Sequence, residues 1–447
     1  MFRLLEKTLT PIQLLSIGYI IIILIGALLL MLPISSENNS YQFFVDSLFT
    51  SASAVSTTGL VVVDTGTYYS MFGEIVILLL IQIGGLGYML FFVVFAILLK
   101  EKLSLTGKKY LREAVSRNQS VDLIRFVKLT LIYTLIIELI GTVGYFIVLI
   151  NNFSFTEALY SSFFHSVSAF CTAGFGLYPD NLSSYSESLV INFNTFFLVI
   201  TGAIGFFVLY DLLNYINQKI KKNNFARITL HSKLVLSFTF SLFLFGALII
   251  LIAENTKFSE NIFQNILNAF FQSISASTTV GFNTIDITIM SNASLFVMII
   301  LMFIGASPGS TGGGIKTTSF AASILSSIAS LKGKNAVSIF KRTISRFSVD
   351  KSNAQIFVAL TSTLVITLIL TITENFSFIK ILFEATSAFG TVGLSAGITS
   401  SLSIIGKLLI TTLMIIGRVG PIAIGLFFVN KNGNNNYTFP EEDIFTS

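Results

Sequence analysis

The chain has 447 residues, 53% of them hydrophobic and only 11% charged, with a mean hydropathy of +0.83 and a formal net charge of +5. Such a composition cannot be sorted into one polar surface and one core, which excludes an ordinary soluble fold and makes a bilayer the expected solvent. A single cysteine, Cys171, excludes an intrachain disulfide framework, and two histidines without carboxylate or thiol partners at ligand spacing leave no recognisable metal site, so redox and metalloenzyme chemistry are not indicated.

Runs long enough to cross about 30 Å of hydrocarbon occur at residues 11–32, 75–99, 123–150, 189–210, 234–252, 296–331 with an interruption, 356–372 and 404–429. These predict an all-α integral membrane protein of eight spans. The first run is long and is followed by Pro33-Ile34-Ser35-Ser36 without a small-x-small cleavage pattern, so it reads as a permanent helix and not as a signal peptide. Basic residues crowd the segments after the second, fourth and sixth runs: Lys100, Lys102, Lys108, Lys109, Arg112, Arg117 and Arg125, then Lys219, Lys221, Lys222 and Arg227, then Lys332, Lys334, Lys341, Arg342 and Arg346. The positive-inside bias makes those segments and both termini cytoplasmic. The opposite connections carry Glu37, Asp46, Asp64, Glu74, Glu157, Asp180, Glu187, Glu254, Glu260, Asp286 and Glu374 against Lys257, Lys380 and Lys407. An acidic outer face that attracts cations is the functional expectation; the plain alternative is the complement of the inside bias.

Each outer connection contains one phrase, repeated at intervals of roughly 110 residues. It reads Ser53-Ala54-Val55-Ser56-Thr57-Thr58-Gly59-Leu60, Ser168-Ala169-Phe170-Cys171-Thr172-Ala173-Gly174-Phe175, Ser275-Ala276-Ser277-Thr278-Thr279-Val280-Gly281-Phe282 and Ser387-Ala388-Phe389-Gly390-Thr391-Val392-Gly393-Leu394. A short, partly apolar helical stretch precedes each, with Phe49, Phe164, Phe271 and Phe383 at one offset. Thr-x-Gly in one loop would mean little, but four copies in register define a repeat of helix, short re-entrant helix, phrase and helix. Two spans per repeat return the chain to one side, so the copies are parallel and can surround one central pore, unlike inverted-repeat transporters. The expected units are 1–118, 119–228, 229–350 with a broken second helix, and 351–430, followed by a cytoplasmic tail, 431–447.

A dehydrated monovalent cation needs backbone carbonyls in place of its hydration shell, and glycine supplies the left-handed backbone that aims them. Irregular backbone at membrane depth is tolerated only where it lines a wet cavity or packs on protein. Thr57, Thr58, Gly59, Thr172, Ala173, Gly174, Thr279, Val280, Gly281, Thr391, Val392 and Gly393 are therefore the candidate ion-binding residues, with the ion at the glycines. Thr279-Val280-Gly281-Phe282 and Thr391-Val392-Gly393-Leu394 resemble degenerate potassium-channel signatures, and the fourfold pattern resembles the Trk/Ktr/HKT superfamily along nearly the whole chain. The likeness is greatest to the membrane subunit of bacterial Ktr systems, with the first repeat beginning almost at the N-terminus and not after the extra helix pair typical of Trk-type subunits. That resemblance implies potassium uptake, often sodium-stimulated, by a homodimer of pore subunits on a cytoplasmic ring of nucleotide-binding (RCK-type) regulatory subunits. No cofactor beyond potassium, and sodium where it stimulates, is implied, and no nucleic-acid partner.

Beyond each phrase the following span carries close glycines: Gly84 with Gly87, Gly202 with Gly205, Gly305, and Gly417 with Gly420, best read as close helix packing. Arg418 aligns with Gly85, Ala203 and Ala306. A charge deep in a span faces a cavity or a partner, Glu138 being the candidate partner. At about 8 Å from a potassium ion and an effective dielectric of about 20, a guanidinium would repel it by roughly 2 kcal/mol, about thirtyfold in occupancy. The sixth run is interrupted by Gly305, Ala306, Ser307, Pro308, Gly309, Ser310, Thr311, Gly312, Gly313 and Gly314 before Lys316, a composition no helix tolerates. It is not a phosphate-binding loop, because Gly314-Ile315-Lys316-Thr317 breaks the Gly-Lys-Thr adjacency and no strand precedes it. It reads as a gate under the four phrases, with Arg418 and with Lys316 either repelling ions or holding the loop closed; a passive kink is the alternative.

Thr50, His165, Gln272 and Glu384 share one offset and are expected to hold the phrases by hydrogen bonds, while Cys171 fills space behind the second. The tail before Phe439-Pro440-Glu441-Glu442 is asparagine-rich and reads as disordered or, by the resemblance, as a dimer or regulatory contact. Within the superfamily the rival reading is a sodium conductor, against which Gly59 stands, a serine at that position marking sodium selectivity in plant relatives. Outside it, the rivals are a secondary transporter with a midplane site at the broken helix, and an intramembrane enzyme. The first predicts inverted repeats; the second lacks paired aspartates, HExxH or a serine-base arrangement.

Overall fold

The computed structural model describes residues 11–87, 123–222, 226–254, 261–334 and 336–420, and these are mostly helical. In chain order the helices are α1 (Pro11–Leu30), α2 (Phe44–Ser56), α3 (Met71–Leu86), α4 (Leu123–Leu149), α5 (Phe155–Phe170), α6 (Leu189–Ala203), α7 (Phe206–Ile220), α8 (Leu230–Glu254), α9 (Ile262–Thr278), α10 (Asn292–Ile304) and α11 (Thr317–Leu331). A two-residue hairpin, β1 (Ser338–Ile339) and β2 (Arg342–Thr343), leads to α12 (Arg346–Thr373), α13 (Phe378–Gly390) and α14 (Ile404–Val419).

Three of these, α4, α8 and α12, are long and apolar enough to cross a bilayer alone. Their apolar residues divide between two environments. On α4, Val127 and Ile137 are buried while Ile132, Leu135, Ile136, Leu139 and Val143 are half or more exposed, the pattern of a helix with one face on protein and one on lipid. α1, α3, α10 and α11 are shorter apolar helices. α6 and α7 reach spanning length only as a pair bent by 98°, so the run expected to be one span over 189–210 is broken. The cause is Gly205 at φ +99°, a conformation that ends the helical hydrogen-bond run.

Helices α2, α5, α9 and α13 form the interior. Phe49, Phe164, Phe271 and Phe383 are at most 1% exposed, and the surrounding residues are small or hydroxylic. α2 packs on α1 and α3, α5 on α4 and α6, α9 on α8 and α10, and α13 on α12 and α14. Each group also leans on the next: α3 touches α5, α6 touches α9, α10 touches α13, and α14 touches α2, which closes the circle. The expected boundary at 350 falls within the first turns of α12. The basic segment 100–117 and the tail 431–447, like residues 88–99 and 421–429 of the second and eighth runs, lie outside the described residues, as do Lys257 and Glu260.

The helices that follow the four phrases, α3, α6, α10 and α14, start from serine N-caps, Ser70, Ser188, Ser291 and Ser403, whose side chains accept from a backbone N–H three residues on. Two of these caps are gripped by carboxylates. Glu254 accepts from Ser291 N–H at 2.7 Å and Ser294 Oγ at 2.6 Å, and Glu374 accepts from Ser403 N–H at 3.2 Å. Glu74 accepts from the Tyr160 hydroxyl at 2.7 Å, and Asp46 pairs with Lys407 at 2.6 Å. The outer carboxylates named here thus also hold helix ends and contacts together, and of these Asp46 alone is paired with a cation.

Candidate ion-conduction site

The four phrases fold alike because each closes the end of an interior helix. Thr57, Thr172, Thr279 and Thr391 take left-handed φ values of 54°, 50°, 60° and 51°. A β-branched residue there is strained by about 1–3 kcal/mol, so the surrounding contacts must hold it. The N–H of the next residue reaches back to the serine that opens the phrase: Thr58 to Ser53 O at 2.7 Å, Ala173 to Ser168 O at 2.8 Å, Val280 to Ser275 O at 3.1 Å and Val392 to Ser387 O at 2.9 Å. The serine hydroxyls continue the grip. Ser53 Oγ and Ser387 Oγ accept from Gly59 N–H and Gly393 N–H at 3.0 and 3.1 Å, and Ser275 Oγ donates to Phe282 O at 2.6 Å. Sequence reasoning named the threonines and glycines but passed over these serines, although their place in all four phrases was the signal.

Glycine is required at the next position for two reasons. Gly59, Gly174, Gly281 and Gly393 have φ of +90°, +69°, +83° and +92°. A Cβ on Gly59 would fall on the Ala173 carbonyl, on Gly174 on the Val280 carbonyl, on Gly281 on the Val392 carbonyl, and on Gly393 on the Thr58 carbonyl. The four turns therefore form a closed ring in chain order, each glycine pressed against the carbonyl of its neighbour.

Beyond the ring, the residues of the shared offset brace the emerging strands. His165 accepts from Leu177 N–H through Nε2 at 3.3 Å and stacks on Tyr178 with ring centroids 4.8 Å apart. Gln272 donates to Thr284 Oγ1 at 3.4 Å, and Glu384 accepts from Ser395 Oγ at 3.0 Å and from Thr399 Oγ1. Thr50 accepts from the Tyr69 hydroxyl at 3.2 Å, whose burial pushes its pKa up to about 12 and keeps it a donor. Cys171 is buried, but more than a filler: its Sγ donates to Gln82 Oε1 at 3.4 Å, and Gln82 Nε2 donates to Glu138 at 3.0 Å.

The glycine pairs divide by role. A Cβ on Gly84, Gly202 or Gly417 would strike the carbonyl of Val55, Phe170 or Phe389 at the end of the interior helix of the same repeat, which is the expected close packing. Gly87, Gly205 and Gly420 instead take φ of +80°, +99° and +98° where a helix stops.

The segment 305–316 lies directly against the threonine side of the ring. Thr57 Oγ1 donates to Thr311 O at 3.2 Å, Thr172 Oγ1 and Thr311 Oγ1 are 3.3 Å apart, and Gly313 N–H donates to Thr279 Oγ1 at 3.2 Å. Gly313 also sits against Thr391 Oγ1, close enough to leave no room for a Cβ. All four ring threonines thus meet Thr311, Gly312 or Gly313. The base of the segment is closed by Gly305 against Gly314 and by Lys316 N–H to Ile304 O at 2.9 Å. Pro308 and Gly309 reach the elbow between α6 and α7, and Ser310 bonds within the segment to Ser307 O at 2.6 Å.

Both candidate cations clamp this segment. Lys316 Nζ donates to Gly312 O at 2.5 Å and to Gly313 O at 3.3 Å. Arg418, at the end of α14, donates through Nη1 to Thr311 O and through Nη2 to Gly84 O, so it is not paired with Glu138. The guanidinium fork makes this possible, since its two Nη groups donate in different directions and so bridge carbonyls on two different elements.

Fold and site together define a largely helical integral membrane protein with a ring of strained turns at its centre. The chain belongs to the TrkH family of cation transport proteins, whose family model matches residues 8–437. It is 40% identical over 444 residues to the Ktr system potassium uptake protein B of Bacillus subtilis, covering 98% of this chain and 97% of that one. It is 37% identical over 448 residues to the potassium/sodium uptake protein NtpJ of Enterococcus hirae, covering 98% of each. The crystal structure of the potassium transporter TrkH from Vibrio parahaemolyticus superposes with a TM-score of 0.72 over 93% of this chain and 85% of that one, at 17% identity, a likeness of fold.

Proposed function

We propose that this chain carries potassium into the cell through the ring formed by residues 57–59, 172–174, 279–281 and 391–393. The observation that carries the reading is the closure of four glycine–carbonyl contacts in chain order, which sets the four turns around one axis, where backbone carbonyls could replace the hydration shell of a monovalent cation. Four parallel repeats, eight spans and four re-entrant helices are the architecture that puts such a ring at membrane depth with its strained backbone buried in protein. Segment 305–316, with Lys316 and Arg418, is the gate: it covers the threonine side of the ring, and the ring must lose those contacts for an ion to leave. The names of the relatives support potassium as cargo; a plasma-membrane homodimer under a cytoplasmic nucleotide-binding subunit completes the reading by the resemblance to Ktr systems alone. The name of the Enterococcus relative favours a second reading in which sodium is stimulator or co-cargo.

The test is rubidium uptake into proteoliposomes, competed with potassium and with sodium. Potassium competition with sodium without effect supports the first reading; sodium that raises uptake or competes with it supports the second; no cation flux overturns both.

A further inference from the structure

α7 is not part of the ring, yet it is built around it. Its axis turns 98° from α6, and the elbow between them holds segment 305–316 by backbone bonds alone: Thr311 N–H donates to Gly202 O at 3.2 Å, Ser307 N–H to Ala203 O at 3.1 Å, and Phe206 N–H to Gly309 O at 2.9 Å. Gly205 sits so close to the Pro308 carbonyl that a Cβ would not fit. The first residue of α7 therefore moves only if the segment moves.

One side of α7 is fixed to the protein. Asp211 accepts from Thr229 N–H at 3.0 Å, Thr229 Oγ1 at 2.9 Å and Ser232 Oγ at 2.6 Å, Phe207 meets His231 edge-on at 5.3 Å, and Tyr210 meets Phe126 edge-on at 6.1 Å. The opposite side is apolar and uncovered by the described residues, with Leu213, Ile216 and Ile220 exposed by 57%, 52% and 75%. Lys219, Lys221 and Lys222 follow at its C-terminal end, and Arg227 and Lys233 are also exposed at this corner, where the carboxylate of Asp211 is already engaged. An apolar stripe, cations at its border and an axis turned off the span are the features of a helix lying in a membrane interface. Over 15 residues it covers about 22 Å of that plane.

We propose that α7 is an interfacial helix whose apolar face enters the inner leaflet, whose lysines take acidic phospholipid headgroups, and whose elbow passes that occupancy to segment 305–316. The last clause rests on the segment being the gate. An acidic soluble protein would satisfy the lysines but not the stripe of Leu213, Ile216 and Ile220, which is why the leaflet is the occupant.

The chain has no tryptophan, so Ile216→Trp and Gln218→Trp place single reporters on opposite sides of α7 in the full-length protein. In vesicles of phosphatidylcholine and phosphatidylglycerol, brominated acyl chains should quench the first severalfold more than the second. Equal or absent quenching would overturn the docking whatever the gate does, and is what a protein partner at this face would give. Rubidium flux should depend on the phosphatidylglycerol fraction. The triple variant Lys219→Gln, Lys221→Gln, Lys222→Gln should shift that dependence to higher fractions, each lysine being worth about fivefold in headgroup affinity. Deleting residues 310–313 should leave the quenching and remove the lipid response. Quenching with lipid-indifferent wild-type flux, or a lipid response that survives the deletion, would overturn the coupling alone; a deletion with wild-type basal flux would instead sink the gate reading.

Discussion

Replacing Arg418 by alanine removes the one side chain that ties segment 305–316 to α14 and α3 at once. Its bond to Thr311 O is charge-assisted, and such bonds contribute about 1.5–3 kcal/mol. Taking about 2 kcal/mol, the ratio of open to closed segment rises about thirtyfold. The lost charge acts in the same direction, since it also relieves repulsion of a cation entering the ring. Rubidium uptake per milligram of reconstituted protein should therefore rise, up to the point where the remaining Lys316 clamp limits it. Arg418→Lys separates the two effects: a lysine keeps the charge but cannot span both Gly84 O and Thr311 O, so uptake should fall between wild type and alanine. A well-folded Arg418→Ala protein with unchanged or lower uptake would refute the reasoning.

Other substitutions test neighbouring parts of the account. Lys316→Met removes the donor to Gly312 O and Gly313 O and should raise basal uptake, read in the same assay, while leaving the melting temperature within a few degrees. Glu384→Ala removes a fully buried acceptor from the buried Thr399 hydroxyl and the half-buried Ser395 hydroxyl and should destabilise the detergent-solubilised protein by about 1–3 kcal/mol, whereas Glu384→Gln, which keeps an acceptor, should cost less; thermal unfolding ranks them. Asp46→Asn breaks a partly exposed pair with Lys407 and should cost under about 1 kcal/mol, so a large loss would mean the pair does more than join two helix ends.

What the sequence disclosed and what it hid follow from the kinds of force involved. Hydropathy located α4, α8 and α12 because burial in hydrocarbon acts on whole segments, and the interruption at 305–314 was visible because glycine and proline are poor helix formers wherever they stand. The bend at Gly205 was not visible, since one glycine in an apolar run is compatible with a straight helix, and only the contact with Pro308 selects the break. The ring residues were legible through repetition. Their bracing was less so: Ser53, Ser275 and Ser387 act through bonds to backbone a few residues away, so their recurrence marked them while their residue type did not say what they hold. The contacts of Arg418 were not legible because a buried cation suggests a carboxylate, while the carbonyls of Gly84 at a helix end and Thr311 in a loop can take a second donor as well. Charge counts likewise do not reveal which carboxylates also hold helix caps, as Glu254 and Glu374 do.

The central claim is the ring itself, and Gly281→Ser tests it most directly. The serine would have to adopt φ near +83° and place its Cβ on the Val392 carbonyl, so the third and fourth turns must part. In proteoliposomes matched for protein, the account predicts rubidium uptake that potassium competes for in the wild type, and that the substitution weakens or opens to sodium. Uptake and ion preference unchanged by Gly281→Ser in a protein of normal stability would contradict it.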